Sequence, residues 1–308
     1  MIDPRLQALR VLRDHGTVTA AAAALHLTPS TVSQQLRGLA RELDVELLEQ
    51  VGRRVQLTAV GHALLRHADL LAEQAERARA ELAAHRAGIA GVLRISAMPT
   101  ALAALVAPAA ARLRDANPGL TVELIEDESA HCFETLLVGD SDIGIVLPAP
   151  GSPALDDPRF EQRPLLTEPL DLLVPRGHSF AARESVALVE AAAEPWITGR
   201  ARITHHLVVS AACAAAGFSP RIAGQAVDFP GVAAMVAHGF GVSLVPRLAY
   251  LPPELPVTRV ALHDDPAPVR RHLSAVRRGS AEHPVIAAGL AAVRAVCRER
   301  TDITVLDD

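Results

Sequence analysis

Lysine is missing from the whole chain. All 30 basic side chains among its 308 residues are arginine, and alanine abounds, a codon signature of a GC-rich bacterial genome that carries no information about activity. Cysteine is nearly as scarce. Cys132, Cys213 and Cys297 are few, odd in number and far apart, which excludes a disulfide framework, gives no expectation of a peroxide-sensing pair and points to a reducing compartment. No uninterrupted apolar run reaches the ~20 residues of a membrane helix, and no secretory signal is seen, so a cytoplasmic protein without membrane contact is expected. The motifs of common hydrolytic and nucleotide chemistry are missing too: there is no GxSxG elbow, Walker loop, HExxH or CxxC pair. An α/β enzyme finds no support among them. His205 and His206 lack a metal-ligand spacing and are expected at a solvent-facing helix start, so no metal and no cofactor are expected.

What is present is polarised. Residues 1–66 hold eight arginines against six acids and the remainder 22 against 29, within a net charge of −5. The basic part is also the part with a recognisable outline. Thr19 is the expected cap of an alanine-rich helix over residues 20–25, whose small side chains let a second helix cross closely. After a turn at His26 and Leu27, Thr28 can cap the next helix, with Pro29 at its first position, where a missing N–H costs nothing. Val32, Leu36 and Leu39 then form an apolar stripe, leaving Ser30, Thr31, Ser33, Gln34 and Arg37 on the remaining surface. Hydroxyls, an amide and a guanidinium are what a base edge or phosphate in a major groove calls for. Leu43, Val45, Leu47 and Leu48 are expected as core and first strand of a hairpin, with Gly52, Arg53 and Arg54 at its tip. Paired arginines on a glycine turn suit phosphate or minor-groove contact. The pattern predicts a winged helix-turn-helix over residues 1–59, with Thr28, Pro29, Ser30, Thr31, Ser33, Gln34, Arg37, Arg53 and Arg54 on duplex DNA.

Residues 60–88 contain no proline and predict one long helix. Leu64, Ala68, Leu71, Ala75, Ala78 and Leu82 recur at heptad spacing, the rhythm of a dimerising linker, although an amphipathic helix lying on its own domain has the same stripe. Beyond Gly88 and Gly91 the pattern changes to short apolar runs separated by helical segments, an α/β signature over 89–308. Strands are expected at 92–96, 122–125, 143–147, 170–174, 196–198, 242–245 and 273–277.

Gly16, Thr17, Ala21, Ala22, Leu25, Ser33, Leu36, Leu39, Leu47, Gly52, Leu57, Thr58 and Gly61 resemble the N-terminal pattern of the LysR-type transcriptional regulators. The resemblance continues through Pro118, GDSDIGI at 139–145, Pro164-Leu165, GFSP at 217–220 and VAHGFGVSLVP at 236–246. Pro29, Ala40 and Gln50 stand where the family often has Gln, Glu and Arg. The resemblance implies an α/β chain with an N-terminal winged helix-turn-helix, a linker helix and a two-lobed effector domain like a type 2 periplasmic binding protein. One lobe would hold residues 92–164 and 266–308, the other 165–265. It further implies promoter DNA, a small-molecule effector, a homodimer or homotetramer and RNA polymerase as partners. Loops at the carboxyl ends of the strands are where a cleft forms, and Thr100 is carried over from an effector-contacting Ser or Thr of the family. Met98, Ser129, Thr198 and Arg200 complete the expected site. Hydroxyls, helix-start amides and an arginine together would hold a small carboxylate. A solute-binding module, or an enzyme with an accessory helix-turn-helix, is the alternative.

Overall fold

In the computed structural model, which describes residues 2–51, 54–85, 88–149, 151–201 and 203–306, three helices open the chain: α1 (Pro4–His15), α2 (Val18–Ala24) and α3 (Pro29–Glu42). Side-chain oxygens satisfy the first free amides of each. Asp3 accepts from Arg5 N at 2.8 Å, Thr17 from Ala20 N and Thr28 from Thr31 N, both at 3.2 Å. The second helix therefore starts two residues earlier than expected: Thr17, not Thr19, accepts its amide, and Thr19 lies inside the first turn. Gly16 ends α1 at φ +67°, a left-handed conformation that a side chain would strain. Ala21 and Ala22 are buried where α2 meets its neighbours, and Val32, Leu36 and Leu39 are the buried stripe of α3. Leu43, expected with Leu47 as core or first strand, caps α3 and is 44% exposed, whereas Leu47 is buried as expected.

β1 (Leu48–Val51) and β2 (Arg54–Leu57) pair antiparallel, Leu48 opposite Leu57 and Val51 opposite Arg54. The expected tip at Gly52 and Arg53 lies outside the described residues. α4 (Ala59–Ala84) follows directly, capped by Thr58, and ends four residues short of the expected 88. Gly61 makes its crossing over the hairpin root feasible, because a Cβ there would collide with the Leu47 carbonyl. Leu65, Ala68, Asp69 and Ala80 of α4 are buried against its own chain, while Leu71 and Leu82 of the heptad seam are 54% and 69% exposed. The helix thus lies on its own domain, using Leu64 and Ala68 of the heptad set there and leaving Leu71, Ala78 and Leu82 exposed. Asp69 fastens it to α1, accepting from Arg10 Nε and Arg13 Nη1, each at 2.8 Å.

The larger part begins with β3 (Gly91–Ala97), α5 (Pro99–Ala101), a π-turn at Leu102–Val106, α6 (Ala107–Ala116), β4 (Leu120–Glu126), α7 (Ser129–Val138) and β5 (Ile143–Val146). β3 runs parallel to both β4 and β5, as helical crossovers dictate. Next come β6 (Phe160–Pro175), β7 (Ser185–Val186), β8 (Pro195–Gly199), α8 (Thr204–Ala215), β9 (Arg221–Ala226), α9 (Phe229–Ala237), β10 (Ser243–Pro246), β11 (Val257–Leu262), β12 (Val269–Arg277), α10 (Pro284–Arg298) and β13 (Thr304–Val305). The sheet path is β4-β3-β5-β12-β6-β11-β7, with β10 and β13 also on β6. β8 and β9 pair in parallel, and Trp196 of β8 bridges to Val242 beside β10.

β6 decides how the two halves relate. Its residues 160–169 pair with β12, while 170–175 pair with β10 and β11. One strand therefore belongs to both lobes. Each lobe has its own core, one around Leu93, Ile95 and Ile143, the other around Leu172, Trp196 and Leu244. Three strands beyond the sequence expectation, β7, β9 and β11, complete the second lobe, and a fourth, β13, joins β6 in the first.

Candidate DNA-reading face and interlobe cleft

On α3, the stripe that buries Val32, Leu36 and Leu39 leaves Ser30, Gln34 and Arg37 exposed at i, i+4 and i+7. The Thr28 hydroxyl is spent locally: besides capping Thr31 N it lies 2.8 Å from both Ser30 Oγ and Thr31 Oγ1. Gln34 and Arg37 have no side-chain hydrogen bond among the described residues, and Arg37 with Ser33 lines the groove between α3 and the hairpin strands. Thr28, Pro29 and Thr31 therefore shape the start of the helix, Ser30 is exposed with its hydroxyl on Thr28, and Gln34 and Arg37 keep their side-chain donors and acceptors unspent among the described residues. A bidentate amide reading one base contributes about 1–3 kcal/mol of discrimination. Gln34→Ala is accordingly expected to weaken a cognate duplex by about that amount and a scrambled duplex far less, as fluorescence anisotropy on both would show.

A cavity of about 600 Å³ opens between the lobes. It sits at the carboxyl ends of β3, β4, β8 and β9, where open α/β sheets place ligands. Met98 and Thr100 line it from the first lobe. From the second come Thr204, His205 and Phe229. Helices α7 and α8 start at its edge without a side-chain cap, which leaves their first amides to a ligand or water. Three other expected residues serve elsewhere. Ser129 Oγ accepts from Leu147 N at 2.9 Å, Thr198 is fully buried with its hydroxyl donating to the Gly199 carbonyl, and Arg200 is exposed away from the cavity wall. Their place in the chain is beside the cleft; their side chains turn from it.

Arg270, on the crossing strand β12, forms the floor and was not among the expected residues. Its Nη2 donates to Thr100 Oγ1 at 2.9 Å, its Nε to Glu168 Oε1 at 2.9 Å, and Nη2 also bonds Glu168. Glu168 is fully buried and further accepts from His272 Nε2 at 2.6 Å and Leu248 N at 2.9 Å. Burial alone would raise its carboxyl pKa, but the Arg270 charge and the His272 hydrogen bond overcome this and hold it at about 2. Burial lowers the His272 pKa, so the ring stays neutral and donates. His205, expected to face solvent, instead packs its ring 4.9 Å from Phe229 in the cavity wall. Burial brings its imidazole down to about 4, and the neutral ring donates from Nε2 to the Leu244 carbonyl at 2.9 Å.

The cleft and the helix-turn-helix share one element. Glu128, preceding α7, lines the cavity and accepts from Thr204 Oγ1 at 2.6 Å, joining the lobes. At the other end of α7 the Leu137 carbonyl accepts from Gln7 Nε2 at 2.8 Å, and Asp140 lies 3.1 Å from His26 Nε2. Phe133 and Leu136 pack in one apolar cluster with residues of α1 and α2, beside an Arg159–Asp14 ion pair at 2.5 Å.

Two family models match the chain: "Bacterial regulatory helix-turn-helix protein, lysR family" over residues 4–62 and "LysR substrate binding domain" over residues 86–298. The regulator AlsR of Bacillus subtilis is 32% identical over 232 residues, covering 74% of this chain and 75% of that protein. A full-length OxyR variant from Pseudomonas aeruginosa superposes with a TM-score of 0.67 at 21% identity, over 99% of this chain and 97% of that one. Full-length CbnR complexed with its target DNA is 26% identical with a TM-score of 0.56, over 96% of this chain and all of that one. The likeness to OxyR is one of fold. Here Cys132, Cys213 and Cys297 are buried, and burial pushes their thiols up to about 12, about 12 and about 11, leaving little thiolate to oxidise. No helix among the described residues is long and apolar enough to cross a membrane.

Proposed function

The chain belongs to the LysR family of DNA-binding transcriptional regulators with an effector-binding domain, and from that premise we propose that a small molecule in the interlobe cleft resets how its paired recognition helices engage promoter DNA. The observation that carries this reading is Thr100. Held by the buried Arg270, its hydroxyl faces a cavity walled by both lobes, so a ligand there touches the two bodies whose separation can change. The work done is binding energy moved from one equilibrium to another, with no bond made or broken.

The protein would act in the cytoplasm as a homodimer or homotetramer, its α4 seams paired, α3 helices in successive major grooves and the arginine-tipped wings on flanking phosphates. Helix α7 is the proposed route from ligand to DNA. Ten residues span about 15 Å as a rigid rod, with the interlobe Glu128–Thr204 bond at one end and the Gln7 and His26 contacts at the other. A ligand that changes lobe closure shifts the seat of the helix-turn-helix, and contact with RNA polymerase is the natural readout.

Thr100→Val, which keeps the shape and removes the hydroxyl, is expected to abolish the effector-induced change in promoter footprint while effector-free DNA binding persists. The double variant Gln7→Ala with His26→Ala is expected to keep both ligand and DNA binding but to loosen their coupling. Loss of DNA binding in Thr100→Val, with ligand response intact, overturns the assignment.

A further inference from the structure

The reading of this cavity as the effector site is the starting point; the chemistry of its walls narrows the effector. The ionic lining is lopsided. Glu126 ends β4, Asp127 and Glu128 link it to α7, and Asp228 precedes α9, whereas Arg270 is the one arginine among the described lining residues. Its charge is matched from behind by the buried Glu168. The open space therefore faces a negative wall. The Glu126 side chain has no hydrogen bond or ion pair among the described residues. Glu128 uses Oε2 on Thr204, Asp228 uses Oδ1 on Gly231 N, and Asp127 holds Glu128 N with a looser 3.4 Å contact to His131. The second oxygens of Glu128 and Asp228 are left over. Carboxylates gathered around a partly closed cavity repel one another and any anion entering it, and a cation relieves both costs.

The floor asks for the opposite charge. Arg270 has a side chain only 4% exposed, yet its Nη1 makes no hydrogen bond among the described residues while the residue lines the cavity. Thr100 Oγ1 accepts from Nη2, so its own proton is free to donate. A buried guanidinium edge beside a free hydroxyl fits one carboxylate. Between floor and lip the walls are apolar, and Val227 and Tyr250 at the rim stand 63% and 64% exposed.

We propose that the cleft takes a small zwitterion with an apolar body, an amino acid in the broad sense, its carboxylate on Arg270 and Thr100 and its protonated amine among Glu126, Glu128 and Asp228. A plain carboxylate satisfies the floor and is opposed by the lip; a plain amine satisfies the lip and leaves the Arg270 edge desolvated and unpaired.

The full-length protein is titrated by calorimetry and thermal shift against matched triplets: the apolar and aromatic amino acids, the same acids without the amino group, and the same amines without the carboxylate. The expected result is binding of at least one amino acid about tenfold or more tighter than either truncated analogue, a preference worth about 1.4 kcal/mol. In Glu126→Gln with Glu128→Gln the advantage over the deaminated acid is expected to vanish, and in Thr100→Val the advantage over the amine. A deaminated acid that binds as well as its parent, an amino acid bound equally by the double glutamine variant, or no binding by any member of the panel overturns the proposed class. If the bound molecule is a plain acid and Thr100→Val still loses it, the class falls while the cleft remains the effector site. If a ligand binds and neither Thr100→Val nor the glutamine pair affects it, the cleft reading falls with it.

Discussion

Glu168→Gln is expected to remove about 3–5 kcal/mol of stability, the largest effect of any single polar substitution in the effector domain. Its carboxylate sits opposite Arg270 in the β6–β12 register, at the point where β6 leaves one lobe for the other. Two buried groups lean on it, the Arg270 guanidinium and the His272 Nε2–H, and the Leu248 amide bonds its second oxygen. A neutral amide of the same shape leaves the guanidinium charged and uncompensated in the interior, which is the expensive way to break a buried pair. Denaturant melts of the isolated variant and wild type check the magnitude. Glu168→Leu with Arg270→Met, which removes both charges, is expected to recover much of the loss while the ligand response stays absent, because Thr100 has lost its donor.

The acid branch of the stability curve gives an independent reading of the same group. The folded-state carboxyl lies at about 2 against an ordinary 4.5, a depressed pKa. The stability it contributes is therefore complete above about pH 4.5 and disappears as pH falls toward 2, on the order of 3 kcal/mol for a drop of that size. The wild type minus Glu168→Gln difference in unfolding free energy should shrink over that window; a constant difference from pH 6 to pH 2.5 would show that the pair contributes no linked protonation.

How much of this was legible in the sequence depends on range. The recognition helix is set by neighbours: a threonine, a proline and an apolar stripe within twelve residues fix where α3 starts and which face it buries, so its exposed residues were readable one by one. Thr100 and Met98 were readable through their position after a strand. Arg270 was not, because the contact that gives it a role joins residues 170 positions apart, and an arginine in an alternating strand looks like a solvent-facing one. Ser129, Thr198 and Arg200 occupy the right loops with side chains turned to the backbone or to water, a choice made by rotamers that no spacing records. The same holds for β6, whose first half mixes Glu161, Gln162, Arg163 and Pro164 among apolar residues and so lacks a strand pattern of its own. Its pairing with β12 makes it a strand.

Leu71→Glu combined with Leu82→Glu is expected to abolish high-affinity promoter binding without unfolding the chain. Both side chains are more than half exposed on α4, while the face that α4 uses inside its own chain, Leu65, Ala68, Asp69 and Ala80, is untouched. The substitutions therefore cost little to the protomer. Across a paired seam they would bring carboxylates to positions that close packing keeps dry, and the two helices would separate. Each recognition helix would then meet its half-site alone. Joined heads gain about 10²–10⁴ in apparent affinity from effective concentration, with no new contact, so binding to a two-half-site promoter should fall by that factor and become equal to binding of one half-site. Sedimentation velocity of the variant should show a smaller species, with an unchanged thermal melt. A variant that stays assembled and binds normally would place the assembly elsewhere on the molecule and leave the exposed leucines of α4 without a function. A variant that dissociates yet keeps its promoter affinity would mean that a single α3 carries the whole recognition, an outcome at odds with the few base-reading side chains that Ser30, Gln34 and Arg37 supply.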